Sequence, residues 1–396
     1  MSNESIILGT KCRIIRGNGY TVFHVFLSQG IATYICKKNS ELRYLHKFRN
    51  IANFDKSENG VLHIEQRHIR NINIELTKRC NFRCQHCYLS AGNTKGEIKL
   101  EDYKNIIQKI QYYGTPINIR LSGGEPSLHS HIIEICNLTL CVPAISHHTL
   151  ITNGTLSFES FVSVLESGMH LQISVYGFSL SVYRNFSNSS SKHFEQVLHN
   201  LRNCPEKYKS QILLIFYNSS ITNQDYESFV EFTERYNYAF KYSRIGLIGR
   251  AISSKTYSVY DAHSQEPLEF CTLRQDLCDK DRLNIDVDGN VTPCPYLSRV
   301  VEPFGNIHKE GLADILSADR WITFDSYCID DVPDCRNCPL RYVCTGGCLA
   351  ETLAFNGSYL HRYPQCHLED DSNQIHDDAL YKVLIKSPGM FEFQKI

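Results

Sequence analysis

Three cysteines stand close together in the run Cys80-Asn-Phe-Arg-Cys84-Gln-His-Cys87. Three thiolates at this spacing can each bind one iron of a cubane cluster and leave the fourth iron without a protein ligand. Iron–sulfur clusters usually take four cysteines, so such a gap calls for a ligand from outside the chain. Zinc is the other reading of the run. It too needs a fourth donor, and His86 is awkwardly wedged between two of the cysteines. Further on lies Ser122-Gly123-Gly124-Glu125-Pro126. Paired glycines let a ligand approach the backbone, and Glu125 can receive an ammonium group. Alone, this run is equally an ordinary strand-to-loop turn.

A second set of cysteines crowds the rear of the chain. Cys335-x2-Cys338-x5-Cys344-x3-Cys348 is followed, after seventeen residues, by Cys366; upstream lie Cys271, Cys278 and Cys294. The chain has 17 cysteines in 396 residues. It is far too long for a disulfide-stapled mini-protein, and its first residues show no basic start followed by an apolar core and cleavage site. Clustered cysteines then point to metal, and the expected location is the cytoplasm. Cys12, Cys36, Cys136, Cys141, Cys204 and Cys328 are scattered and read as small buried hydrophobes.

The elements that must position these residues are legible between about 72 and 250. Strand candidates are Ile72–Leu76, Ile117–Ser122, His148–Thr152, Leu171–Val175, Gln211–Phe216 and Phe240–Leu247. Between them run helical periods: Leu100, Tyr103, Ile106, Ile107, Ile110, Tyr113, closed by Gly114; Phe158, Phe161, Val162, Leu165, ending near Gly168; and Phe194, Val197, Leu198, Leu201. Strand and helix in alternation predict parallel strands with crossover helices, here an α/β fold built on a partial (β/α)6 TIM-type barrel. The cysteine run follows the first strand and the Gly-Gly-Glu run the second. Both therefore sit at C-terminal strand ends, where such barrels do chemistry.

Taken together, the two front motifs resemble the radical S-adenosylmethionine superfamily. The resemblance extends to Thr152-Asn153-Gly154 and Ile173-Ser174-Val175-Tyr176-Gly177. It implies that Cys80, Cys84 and Cys87 hold a [4Fe–4S] cluster, that Gly123, Gly124 and Glu125 hold the cofactor's amino group, and that Ser174 contacts its ribose. Arg184 lies near where relatives carry a cofactor-binding arginine; a surface arginine is its other reading. The rear cysteines, with Glu302–Ile307 and Gly311–Leu316, resemble the SPASM extension of peptide-maturase-type members, which carries auxiliary [4Fe–4S] clusters. By that resemblance Cys271, Cys278, Cys294 and Cys348 would hold one, and Cys335, Cys338, Cys344 and Cys366 another. Cys271 as a merely buried residue, with one iron open, is the alternative.

The expected division is residues 1–70 as a β-rich cap or peptide-recognition domain, 71–255 as the barrel, 256–370 as the cluster domain and 371–396 as a tail. In the first part Cys12–Ile15 and Tyr20–Leu27 read as strands around Gly17-Asn18-Gly19, with a helix near Leu42–Phe48 and a strand near Val61–Glu65. Such a sheet can bind a leader peptide at its edge. A net charge of −1 and the lack of like-charge blocks give no reason for a nucleic-acid partner, and no apolar run is long enough for a membrane span. The expected partners are a precursor peptide and a flavodoxin- or ferredoxin-like electron donor. Pro295 follows Cys294 where the sulfatase-maturing branch has an aspartate, which puts sulfatase maturation in doubt. That reaction and small-molecule oxidation remain the alternatives, with a non-catalytic iron–sulfur or zinc scaffold as a distant one. No residue is nominated as catalytic acid or base.

Overall fold

The structure is a computed structural model that describes residues 6–9, 12–16, 20–27, 30–37, 69–113, 117–217, 223–243, 245–253, 282–327, 329–336, 346–364 and 366. Strands β1 (Ile6–Gly9), β2 (Cys12–Arg16), β3 (Tyr20–Leu27) and β4 (Gly30–Lys37) pair antiparallel in chain order. The expected elements at 42–48 and 61–65, the 17–19 turn, the Gly114 cap and the tail lie outside the described residues.

Six parallel strands follow: β5 (Asn71–Thr77), β6 (Ile117–Gly123), β7 (Ile145–Thr152), β8 (His170–Val175), β9 (Ile212–Tyr217) and β10 (Ala239–Ser243). Between them lie α1 (Leu100–Tyr113), α2 (Ile132–Leu140), α3 (Phe158–Glu166), α4 (Leu180–Ser187), α5 (Ser191–Asn203) and α6 (Asn223–Tyr236). This is the partial barrel that strand–helix alternation demands. On α1 the buried residues are Tyr103, Ile106, Ile107 and Ile110, one face of a 3.6-residue period. Each such aliphatic side chain contributes about 2 kcal/mol by leaving water. Ser157, Ser179 and Ser190 cap α3, α4 and α5 by accepting a backbone N–H from three residues on. Gly168, at φ +99°, follows α3 in the left-handed region that the sequence assigns to glycine.

The expected strand Phe240–Leu247 is shorter, because the chain leaves the sheet after Ser243. Leu247 N–H donates to Glu351 Oε1 at 3.1 Å, and Gly246 packs against the Tyr296 ring. Contacts with the rear of the chain therefore outcompete the ladder. Gln211 falls in a 3-10 turn before β9.

After the barrel, β11 (Arg282–Ile285) pairs parallel with β5, and β12 (Asn290–Thr292) and β13 (Gly305–Asn306) continue antiparallel. The rear segment thus extends the barrel's own sheet into nine strands. Helices α7 (Arg250–Ser253), α8 (Leu312–Ser317), α9 (Asp319–Ser326) and α10 (Leu349–Asn356) complete the described residues. None of the described helices is long and apolar enough to cross a membrane.

Candidate active site

The two front motifs are stitched to each other through backbone. Gly124 N–H donates to the Thr77 carbonyl and Glu125 N–H to the Arg79 carbonyl, both at 2.7 Å. A Cβ on Gly124 would collide with the Arg79 carbonyl, and one on Gly123, at φ +131°, would sit 2.6 Å from that of Thr77. The glycines therefore admit the chain leading into Cys80, and both also line the cavity described below.

The cysteine loop is held from three sides. Arg83 N–H and Gln85 N–H donate to the Ser187 and Phe186 carbonyls at the end of α4. Asn153 Nδ2 donates to Asn81 Oδ1 at 2.8 Å. Arg250 donates from Nε to the Cys84 carbonyl at 2.8 Å and from Nη1 to the Ala91 carbonyl at 2.7 Å. Phe82 N–H points at Cys80 Sγ (3.3 Å) and Ala91 N–H at Cys87 Sγ (3.4 Å), the kind of contact that stabilises a thiolate on iron.

Glu125 is buried, and its carboxylate is taken up by the protein. Oε1 accepts from Thr152 Oγ1 (2.6 Å) and Ser127 N–H (3.1 Å), and Oε2 accepts from Asn153 N–H (2.7 Å). Burial raises its pKa against the pull of these bonds. It fixes the end of β7, and Oε2, with a single bond, keeps acceptor capacity. Ser174 is buried and lies in the same wall as Tyr176 and Tyr217. Arg184 is exposed on α4 and is not in the wall of the cavity described next; the helix period turns Tyr183 inward.

A cavity of about 560 Å³ opens beneath the loop, a size suited to a cofactor and part of a substrate. Cys80, Cys84 and Cys87 line it, with Gly123, Gly124 and Ser174. Cys294 and Cys348 line it too, although they come from the rear of the chain. Cys335 is buried apart from it with Ile329 and Val332, and Cys366 N–H donates to the Tyr363 carbonyl. Cys271, Cys278, Cys338 and Cys344 lie outside the described residues.

The residues fit a polar cofactor and a cluster. Ser122 Oγ and His86 Nδ1 line this cavity and are buried without a hydrogen-bond partner among the described residues. His86 stacks on Phe186, Tyr217 and Tyr176 with ring centroids 4.5–5.2 Å away. Burial, and then the Arg250 charge, lower its pKa to about 3, so the ring stays neutral. Burial, and then the Glu125 charge, push the Cys80 thiol up to about 12, and burial raises Cys84 as well. Such thiols deprotonate only onto a strongly charged partner, as metal binding requires. Among the described residues no three His, Cys, Asp or Glu side chains converge as on a single ion. A cubane takes each thiolate on a different iron.

Sequence reasoning missed Arg250, whose only local signal is a short helix after Gly249. It also missed Arg120, Gln172 and Arg282 in the cavity wall, whose strand alternation alone can only say that they share a face.

Comparison with known proteins agrees with this layout. Residues 74–233 match the radical SAM superfamily, and 278–339 match SPASM, described as an iron–sulfur cluster-binding domain. A probable GTP 3′,8-cyclase of Methanocella arvoryzae is 35% identical over 104 residues, 26% of this chain and 33% of that protein. An Fe-coproporphyrin III synthase of Methanosarcina barkeri is 28% identical over 137 residues, 33% of each chain. The chain thus matches about a third of the length of these curated relatives. In fold, Streptococcus suis SuiB superposes with a TM-score of 0.59 at 14% identity, covering 84% of this chain and 88% of that one. SuiB bound to precursor peptide SuiA gives 0.58 at 12% identity, covering 93% and 100%. anSMEcpe with bound AdoMet and Cp18Cys peptide gives 0.58 at 14%, covering 80% and 96%. These two domains imply [4Fe–4S] clusters and S-adenosylmethionine as cofactors. The chain thus carries a radical SAM domain over 74–233 followed by a SPASM domain over 278–339, and it shares its fold with SuiB.

Proposed function

We propose that this chain is a radical SAM/SPASM enzyme that oxidatively modifies a ribosomally made peptide, through a thioether or carbon–carbon crosslink or a related change. The observation that carries the reading is that Cys80, Cys84 and Cys87 face the same cavity as Cys294 and Cys348. One substrate space then lies between an initiating cluster and an auxiliary one. In this reading Cys80, Cys84 and Cys87 hold the cofactor-binding cluster. Cys271, Cys278, Cys294 and Cys348 hold the auxiliary cluster at the cavity, and Cys335, Cys338, Cys344 and Cys366 the outer one. Once bound, cluster and cofactor together supply a 5′-deoxyadenosyl radical that takes a hydrogen atom from the substrate.

The chain's own residues position and protect that chemistry. Asn153, oriented by Glu125, ties the cysteine loop to the end of β7. Ser122 Oγ and His86 Nδ1 offer polar atoms to the cofactor, and the Tyr176–Phe186–Tyr217 packet keeps water from its side of the site. A flavodoxin- or ferredoxin-like protein supplies the electrons.

A peptide substrate is supported by the peptide-bound fold relatives and by the antiparallel β1–β4 sheet. Among the described residues its end strands β1 and β4 are paired on one side only, as strand addition requires. The names of the curated relatives favour a second reading, a small-molecule substrate. Sulfatase maturation lacks its aspartate, because Pro295 stands in the cavity wall at that position. Anaerobically reconstituted protein should carry about twelve irons per chain if three clusters are filled, and it should form 5′-deoxyadenosine on reduction. Mass spectrometry of a short peptide encoded beside the gene should then show a mass change. An unchanged peptide, with clusters full and 5′-deoxyadenosine formed, overturns the peptide assignment.

A further inference from the structure

The cavity runs well below the cysteine loop. Its lining includes Arg282, opposite Asn71 at the start of β5, and Arg120, opposite Asn73. Thr77, where β5 ends, is six residues beyond Asn71, or roughly 20 Å of strand. Both arginines are accessible to solvent, as side chains facing an open cavity are. Arg120 Nη2 donates to Gln172 Oε1 at 2.7 Å, which orients its guanidinium. Neither arginine has a carboxylate partner among the described residues. Among the described residues Glu125 is the one carboxylate in the cavity lining, and it lies at the other end with three donors. The Arg282 charge lowers the Arg120 pKa after burial, so the two cations feel each other. Two like charges sharing a partly enclosed space are relieved by an anion that both can reach, and a guanidinium's planar fork matches a carboxylate.

We propose that Arg120 and Arg282 form a carboxylate subsite at the end of the cavity remote from the cysteine loop, which seats an acidic group of the substrate. The group is an acidic side chain or the C-terminal carboxylate of the peptide. The cofactor's own carboxylate does not qualify. It shares a carbon with the amine, so a methionine moiety held at the cysteine loop cannot also reach Arg282. The inference rests on the cavity being where the substrate meets the radical. It adds that the substrate is anchored by negative charge below its reacting carbon.

The test is calorimetric titration of the reconstituted full chain, saturated with S-adenosylmethionine. Probes are Ac-Ala-Glu-Ala-NH2, Ac-Ala-Gln-Ala-NH2, Ac-Ala-Gln-Ala with a free C-terminus, and inorganic phosphate. At least one carboxylate probe should bind about tenfold tighter than the blocked glutamine probe. Arg120→Gln and Arg282→Gln should each remove most of that preference, and Arg120→Lys and Arg282→Lys should keep part of it, which separates charge from collapse of the wall. Equal affinities for the three peptides overturn the subsite, as does a preference that survives in the double glutamine variant. Tighter binding of phosphate than of either carboxylate also overturns it, as does weakened cofactor binding with the peptide preference intact. 5′-Deoxyadenosine formation measured on the same samples keeps the two claims apart. If it persists while the preference is absent, the subsite fails and the radical enzyme stands.

Discussion

The two sets of cysteines that line the cavity are built in opposite ways. Cys80, Cys84 and Cys87 span eight residues of one loop. That loop is pinned by backbone bonds to β6, by the end of α4 and by Arg250. Cys294 and Cys348 are 54 residues apart and meet only because the rear segment is laid along the barrel. There the ties are long-range, from the β11–β5 pairing to single side chains. Glu351 accepts Leu247 N–H and the Tyr363 hydroxyl (2.7 Å), and the Tyr296 ring packs on Gly246 and lies 5.2 Å from that of Tyr88. The front set is preorganised locally; the rear set depends on docking. Damage should therefore separate them.

The largest expected difference is chemical. On the proposed assignment Cys84→Ala abolishes 5′-deoxyadenosine formation, a drop of about a thousandfold or more. Cys348→Ala should leave 5′-deoxyadenosine formation within a few-fold while abolishing modified product. Chromatography of both products reads this directly, and equal loss in the two variants would erase the distinction.

The seam between the two regions gives the next effect. Glu75 on β5 is buried, accepts from Asn284 Nδ2 (3.0 Å) on β11 and lies 3.2 Å from Arg299. Burial raises its pKa to about 7, with Arg299 opposing. Between its unfolded value near 4.5 and about 7 the folded state holds the proton that the unfolded state has lost, so stability falls as pH rises through that window. The integrated loss is roughly 3 kcal/mol. Thermal melts from pH 4.5 to 8 should show the fall in the wild type and a flatter profile in Glu75→Gln. Identical profiles would remove Glu75 as the cause.

Arg250 sharpens the comparison on the front side. Arg250→Leu takes the donor from the Ala91 carbonyl and leaves the Cys84 carbonyl with Cys87 N–H alone (3.3 Å), at a cost of about 1–3 kcal/mol. The expected signature is a raised fraction of protein lacking the front cluster, read by its absorbance after partial reconstitution, with Cys348-dependent product per cluster unchanged. Arg250→Lys, which supplies a single-point donor, should recover part of the loss.

Local spacing made much of this molecule legible. The strands around Cys80 and Gly123 and the helix face of Tyr103, Ile106 and Ile110 follow from periodicities of two and 3.6, properties of the backbone that each segment carries alone. The chemistry of the cysteine loop follows from thiol count and spacing. Where the reading went astray, a longer-range contact decided. Phe240–Leu247 stops early because Glu351, 104 residues from Leu247, takes its N–H.

The sequence by itself thus made legible the barrel and the two crowded sets of cysteines, because each is written in residues a few positions apart. Only the tertiary structure decided which distant side chains come together: Arg250 with the cysteine loop, and Arg120 with Arg282, 162 residues apart, in one cavity wall. Such meetings depend on strand order and register. These are set by the energy of the whole sheet, and no local pattern records them.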